Sequence, residues 1–456
     1  SRDHVWLCRF HAAIIDAKRN ASHRSGPAIT RGPCMYSPSP RPFNITEFAR
    51  SQGPDPLEKC RRFHEYANEV RAAGVFDAMY RIELQGPLDH RILARDASTG
   101  ETRELVCFDS NSYLGLHLHP RVRAAAHRAI DEAGVGTPSA QVLGGHNRWL
   151  RALEEGVAAL LGREKCLVFP SGYQANIGIL TGLLRSGDRV IADRFSHASL
   201  HDGCAYSGAT VLTYAHGDLE SLDAQLAQGA PGALIVADGL FSMHGDLCDL
   251  PRLRSVADKH GARLMIDDAH SVGILGATGG GIEEHYGMRG AVDVLMGTFS
   301  KAPGAAGGYV VGDAALIDYL RFLSHGALFT ASLPAPTCAA VGEAFAVMQD
   351  EPEHRARLWA NTRRMWQGLV DAGLRVPPLS SPILTVHVGD ETLLGPLAVA
   401  LFQAGVKAGM AQYPAVPRGQ SILRITVNAR HTQEDLDRTL DVLGQIGRVF
   451  GIVEAR

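Results

Sequence analysis

Lysine is scarce in this 456-residue chain: six residues, Lys18, Lys59, Lys165, Lys259, Lys301 and Lys407, stand among 45 basic ones. Arginine fills the ordinary surface cation roles. A lysine set between a strand-like stretch and a run of small residues, in "MGTFSKAPGAAGGYVVG" (296–312), therefore needs a reason. A lysine amine forms a Schiff base with a carbonyl group and an arginine does not. Long basic runs are also missing, and the formal net charge is -3. Nucleic acid is thus excluded as the main partner, because phosphate-backbone binding needs a concentrated cationic face. Nowhere do eighteen or so apolar residues follow one another, so no membrane span is expected. The eight cysteines (Cys8, Cys34, Cys60, Cys107, Cys166, Cys204, Cys248 and Cys338) are scattered singly, without a CxxC pair or zinc spacing. That pattern fits a reducing, cytoplasmic compartment and predicts no metal site.

With 45% hydrophobic residues the chain can bury a large core in two or more lobes. Residues 1–55 read as an N-terminal extension with little structure: "KRNASHRSGPAITRGPCMYSPSPRP" is basic, rich in proline and serine, and aperiodic. Asp3 and Asp16 weigh against a targeting peptide there, although organellar targeting stays open. Residues 56–108 form a helix and strand segment. Its helix, from Pro56 to Gly74, shows Leu57, Cys60, Phe63, Tyr66 and Val70 every three or four positions and a glycine stop. Over 109–340 the short apolar runs "KCLVFP", "RVIAD", "TVLTYA", "GALIVADG", "RLMIDDAH", "VDVLMGT" and "GGYVVG" alternate with helical patterns. This predicts an α/β fold with a mostly parallel sheet between helices. From 341 to 456 a smaller α+β lobe is expected, with strands "ILTVHV" and "SILRITVN" and a closing helix from Gln433 to Phe450.

In open sheets of this kind ligands bind beyond the carboxyl ends of the strands. There stand Ser171 and Gly172 at a helix-opening turn suited to phosphate, Asp193, Ser196 and His197, Asp238 and Ser242, and Asp267, Asp268 and His270. Singly, each reads equally well as a cap or turn residue. Together with the rare lysine they are the parts that a pyridoxal phosphate site requires. The run "GATGGG" lacks the GxGxxG spacing of a dinucleotide loop.

In order and spacing, "FDSNSYLGL", "FPSGYQAN", "DRFSHASLHDG", "GLFSMHGD", "MIDDAHSVGILGATGGG", "GTFSKAPGAAGG", "LFTASLP" and "YPAVPRGQSILRITVNARHT" resemble the α-oxoamine synthases over roughly residues 80 to 450. That family includes 5-aminolevulinate synthase, 8-amino-7-oxononanoate synthase, glycine C-acetyltransferase and serine palmitoyltransferase. The resemblance implies a fold type I pyridoxal 5'-phosphate enzyme, a seven-stranded sheet in the large domain, and a homodimer with shared active sites. It also implies the roles of single residues. Lys301 is the Schiff-base lysine, Asp267 the partner of the ring nitrogen and His197 the histidine stacked on the ring. Ser242 and His270 bond the phenolic oxygen. Gly172, Tyr173, Thr298 and, from the neighbouring subunit, Thr330 hold the phosphate, while Asn111 and Arg424 hold the substrate amino acid. Because adjacent strand residues face opposite sides, Asp268 does not share the work of Asp267.

The reaction implied is decarboxylative condensation of an amino acid with an acyl thioester, carried on coenzyme A or a carrier protein, to give an α-amino ketone. Another fold type I reaction (aminotransferase or lyase) and a partner subunit of a heterodimeric synthase are the alternatives. Gln141 replaces an arginine common in the family, Leu150 a histidine, and His244 an aspartate. These departures are expected on the approach route of the acyl donor.

Overall fold

The computed structural model describes residues 55–96, 100–229 and 232–453, together with Phe48 and Gly53. The expected extension 1–55 otherwise lies outside the described residues. The lead-in helix runs over Glu58–Ala72 and stops at Gly74, whose φ of 70° suits a residue without a Cβ. Three strands follow: β1 (Glu83–Leu84), β2 (Arg91–Arg95) and β3 (Thr102–Phe108). The next seven are β4 (Lys165–Phe169), β5 (Arg189–Asp193), β6 (Thr210–Tyr214), β7 (Leu234–Asp238), β8 (Arg263–Asp267), β9 (Val294–Thr298) and β10 (Gly308–Gly312). The last three are β11 (Ile383–Gly389), β12 (Val406–Ala411) and β13 (Ser421–Thr426).

Strands β4 to β10 form one seven-stranded sheet in the order β4-β10-β9-β8-β7-β5-β6. Only β10 runs against its neighbours, pairing antiparallel with both β4 and β9. Strands β7, β9 and β10 are buried along their whole length, as a sheet covered on both faces demands. The sheet's carboxyl ends therefore converge on one edge, and they carry Ser171, Asp193, Asp238, Asp267 and Thr298 to it.

The second sheet joins strands of the segment 56–108 to those near the C-terminus. Its order is β1-β2-β3-β12-β13-β11, so half of it comes from residues before 109. Strand β3 pairs in parallel with β12, with Val106 opposite Val406. The segment "VKAGMA" was not recognised as a strand because glycine, two alanines and a lysine give it little intrinsic β character. Pairing with β3 and β13 supplies what propensity does not. Lys407 is buried there at 5% exposure, and its amine is held by Asp109 at 3.0 Å and by the Met79 carbonyl at 3.3 Å. The helix Ala335–Asp350, which opens the stretch assigned to the smaller lobe, packs on the helices Pro120–Ala133 and Arg148–Leu160 that precede the large sheet.

The glycine run has a structural role. Glu284 accepts from the N–H groups of Thr278 and Gly280 and folds the loop about its carboxylate, while Asp268 accepts from Ile282 N at 3.0 Å. Next to it, Glu283 Oε1 takes Arg163 Nη2 at 2.6 Å and the Val292 N–H at 2.7 Å, with the two side chains 3% and 10% exposed. Removing one member of such a pair leaves an uncompensated buried charge. Glu283→Ala is expected to destabilise the protein by about 3 kcal/mol in urea unfolding, whereas Glu284→Ala, on a more exposed loop, is expected to cost clearly less.

Candidate active site

The first turn of the helix Gly172–Leu183 sits directly at the end of β4. Its N-cap, Ser171, accepts from Gln174 N at 3.1 Å, leaving the N–H groups of Gly172 and Tyr173 without an acceptor among the described residues. Backbone crowding explains the glycines. A Cβ on Gly308 would stand 2.6 Å from Gly172 Cα and 2.8 Å from the Ser171 carbonyl, and one on Gly172 would stand 2.9 Å from Thr298 Oγ1. Thr298 in turn donates to the Gly307 carbonyl at 2.8 Å and accepts from Ser300 N at 3.2 Å. Small residues on both sides let two backbones meet at the mouth of an anion-binding helix start.

A cavity of about 250 Å³ opens there, lined among others by Gly172, Tyr173, His197, Asp267, His270, Thr298 and Lys301. Seven of the residues singled out in the sequence thus come together. Asp267 is 5% exposed; its Oδ1 accepts from Ala269 N at 3.0 Å and its Oδ2 from Asn176 Nδ2 at 2.7 Å. Asp238, its cross-strand neighbour in register, is driven well above the usual carboxylate range by burial and then by the charge of Asp267. Asp268 does not line the cavity, as its alternation on the strand requires, and burial raises it to about 7.

Among the described lysines, Lys165, Lys259 and Lys407 pair with Asp318, Asp223 and Asp109, and Lys59 lies on an exposed helix face. Lys301 is half-buried in the cavity and has no ion pair. Burial first, and then the Arg424 guanidinium, push its amine below the ordinary lysine value against the opposing pull of Asp267. His270 is held well below its ordinary value by burial, then by Lys301, Arg424 and His197, so its ring is neutral. Tyr113 Oη lies 2.6 Å from His270 Nδ1. Tyr113 has a φ of 47°, a strained backbone position for a residue with a side chain, held in place by the Ala429 N–H on its carbonyl at 2.7 Å.

Four expected residues do not line this cavity. Arg424 donates from Nε to the Ser242 carbonyl at 2.7 Å, from Nη1 to Thr426 Oγ1 at 2.8 Å and from Nη2 to Asn111 Oδ1 at 3.1 Å. Arg424, Asn111 and Ser242 are therefore brought together, and Tyr113 bonds the same guanidinium. Thr330 is away from all of them, and its hydroxyl contacts only the neighbouring Ala331 carbonyl at 3.4 Å. The three family departures all lie outside this cavity. Leu150 is 0% exposed in the core, and Gln141 is buried, donating to the Val168 carbonyl and accepting from Arg321. Neither faces the cavity, because both are spent on internal packing.

Residues that sequence reading missed include Asn176, Ser199 and Tyr113. They lie inside quoted motifs, "FPSGYQAN", "DRFSHASLHDG" and "FDSNSYLGL", but carry no charge to draw notice. Outside the cavity, Glu351 Oε2 lies 3.3 Å from His119 Nε2 and 3.2 Å from His354 Nε2. Arg121 shares that carboxylate and Arg357 contacts His354 Nδ1, which makes the group an ion-pair cluster.

The loop that carries His197 is clamped from behind. Asp193 accepts from Phe195 N at 2.8 Å and from Gly217 N at 3.1 Å, and His216 bridges Asp193 (3.0 Å) and Asp246 (2.8 Å). Phe195 stacks on both His216 and His244, at centroid distances of 4.7 and 4.6 Å, and the two imidazoles stack on each other at 5.9 Å.

Residues 103–443 match the family Aminotransferase class I and II. The chain is 39% identical over 405 residues to 4-hydroxy-2,2'-bipyrrole-5-methanol synthase PigH of Serratia sp., covering 88% of this chain and 62% of that protein's length. It is 38% identical to 8-amino-7-oxononanoate synthase of Symbiobacterium thermophilum, covering 85% of this chain and 98% of that one. Serine palmitoyltransferase of Caulobacter vibrioides is also 38% identical, over 77% of this chain and 88% of its own. Among solved structures, Sphingomonas wittichii serine palmitoyltransferase superposes with a TM-score of 0.83 at 33% identity, covering 88% of this chain and 100% of that one. The S. paucimobilis enzyme with a bound PLP–myriocin aldimine gives the same TM-score at 31% identity and the same coverage.

Burial opposes charge on His216, but the hydrogen bonds of Asp193 and Asp246 outweigh it and raise the ring from 6.5 to about 9. A group raised on folding contributes stability that is complete below its unfolded value and fades as pH climbs through its folded one. Unfolding free energy is therefore expected to fall between pH 6.5 and 9. In His216→Gln that part of the slope should disappear, as read by urea titrations across the range.

Proposed function

This chain belongs to the α-oxoamine synthases, within the class I and II aminotransferase family, and from that premise we propose how its residues condense an amino acid with an acyl thioester. The reaction releases carbon dioxide and free thiol and leaves an α-amino ketone. The observation that carries the assignment of roles is the meeting of an unpaired, half-buried lysine with a sealed carboxylate and a helix start whose first two N–H groups have no acceptor among the described residues, all in one cavity. Those residues fit pyridoxal 5'-phosphate: a glycine cradle and free N–H groups for its phosphate, a carboxylate for its ring nitrogen and an amine for its carbonyl. When bound, the coenzyme supplies an electron sink for the carbanion at the amino acid's α-carbon.

Lys301 Nζ, made less basic by burial and by Arg424, takes the α-proton and later returns one. Asp267 holds a proton on the ring nitrogen through whichever carboxylate oxygen faces it. The N–H groups of Gly172 and Tyr173, with the Thr298 hydroxyl, hold the phosphate. His197 would face the coenzyme ring, and His270, neutral and fixed by Tyr113, would bond its phenolic oxygen, with Ser242 contributing from beside the cavity. Arg424 would grip the substrate carboxylate, with Asn111 beside it. Loss of that carboxylate after the carbon–carbon bond has formed drives the reaction forward.

Homodimerisation belongs to the same reading. Thr330 lies outside its own subunit's cavity beside Phe329, an exposed aromatic at 75%, and it completes the phosphate site of the partner. No helix among the described residues is long and apolar enough to cross a membrane, and the six described cysteines are free, which suits a cytoplasmic enzyme.

Borohydride reduction of the yellow protein, followed by digestion, is expected to leave the coenzyme mass on the peptide containing Lys301. Finding it on Lys259 or Lys407 would overturn the assignment. A Lys301→Ala chain mixed with a Thr330→Asp chain, under conditions of subunit exchange, is expected to regain activity, up to about a quarter of wild type when half the dimers are mixed and one site in each is intact. Verified exchange without recovery would show that each chain builds its site alone.

A further inference from the structure

The buried side chains behind His197 form a hydrogen-bond chain with a fixed direction. Asn176 Nδ2 donates to Asp267 Oδ2 at 2.7 Å and to Ser199 Oγ at 2.9 Å. Ser199 Oγ lies 2.7 Å from His197 Nδ1, and the Ser199 backbone N–H donates to the same nitrogen at 3.3 Å as the first bond of the helix that His197 caps. Asn176 is 1% exposed and Ser199 0%, so water does not compete for these groups.

The end of the chain sets its direction. An ionised carboxylate only accepts, so the amide nitrogen of Asn176, and not its oxygen, must face Asp267. Both amide protons are then used, one on Asp267 and one on Ser199. Asn176 Oδ1 remains buried without a partner among the described residues, a sign that the site retains this residue for its donors. Ser199 Oγ, having accepted from Asn176, keeps its own proton for His197 Nδ1. The backbone N–H of Ser199 is a donor by nature and points at the same atom. His197 Nδ1 is thus an acceptor twice over. Its other bond runs through the backbone N–H to Asp238 Oδ1 at 3.0 Å, which leaves Nε2 without a partner among the described residues.

We propose that Asn176 and Ser199 are positioning residues that fix the tautomer of His197, so that the neutral ring offers an N–H at Nε2 to a carboxylate or thioester carbonyl oxygen of the substrates. This rests on the reading of His197 as a group that faces them. In this tautomer the ring donates a hydrogen bond and has no lone pair on that side, so it cannot serve as the base, and α-proton removal falls to Lys301. One carboxylate therefore sets two things: the ring nitrogen it faces and, through two neutral side chains, the direction of the hydrogen bond offered by the stacked histidine.

The test is the ring-nitrogen NMR spectrum of the full chain carrying 15N-labelled histidine, recorded with and without coenzyme, with the His197 signals identified by their loss in His197→Gln. In the wild type, Nδ1 is expected at the position of an unprotonated ring nitrogen and Nε2 at that of a protonated one. Ser199→Ala and Asn176→Ala are expected to move both signals toward the tautomeric average and to lower kcat/KM roughly tenfold, the effect of about one hydrogen bond. A wild-type proton on Nδ1, or an unchanged tautomer in both folded variants, would overturn the proposal. The wild-type spectrum decides even where a variant does not fold. Coenzyme absorbance on the same samples reads the wider assignment separately: a chain that shows the Nε2–H tautomer but takes up no coenzyme refutes the site reading and not this one.

Discussion

A carboxylate sealed at the end of β8 is the constraint around which the rest of this site is arranged. Keeping Asp267 ionised inside the protein is costly unless donors replace the lost water. The structure provides them at both oxygens, from Ala269 N and Asn176 Nδ2. The parallel register sets Asp238 directly beside it, and two adjacent buried carboxylates do not both stay charged. Asp238 yields, and takes up a backbone role by receiving the N–H of His197. The position of His197 is thus a consequence of how the sheet resolves a charge conflict.

The reversal of β10 is the second determinant. An antiparallel strand between β4 and β9 brings the loop after Lys301 back across the start of the helix Gly172–Leu183. Only glycine at 172 and 308 allows that approach, and the small residues of "APGAAGG" leave the lysine amine facing a cavity in place of a packed wall. Its depressed basicity then follows from burial and from Arg424, a residue of the other sheet. The chemistry of the lysine accordingly depends on both sheets. The bond from Arg424 Nε to the Ser242 carbonyl is a direct tie between them.

Behind this, the clamp of Asp193, His216 and Asp246 shows how a loop is made rigid without apolar packing alone. Phe195 is held by its N–H on Asp193 and by its ring against two histidines. His244, which replaces a family aspartate, is one of those rings, and burial keeps it below its ordinary value. The two imidazoles also stack on each other at 5.9 Å, and a charged ring beside a neutral one avoids the repulsion that two charged rings would bring.

Much of this was legible in the chain itself. Periodicity gave the seven strands of the large sheet, the lead-in helix and the helix Gln433–Phe450, because two-sided burial writes unbroken apolar runs and amphipathic helices write a repeat. The scarcity of lysine drew attention to Lys301, and the strand ends to Asp267, His197 and His270. The tertiary structure alone decided the rest. Strand β12 exists because β3, some three hundred residues earlier, offers it a partner, and its buried lysine because Asp109 stands opposite. Asn176, Ser199 and Tyr113 are uncharged, and their importance lies in whom they touch, which local spacing does not encode. Leu150 and Gln141 are buried, which depends on the helices packed around them and not on their own spacing. A residue's type and its period are set along the chain; its partners are set only when distant segments close around it.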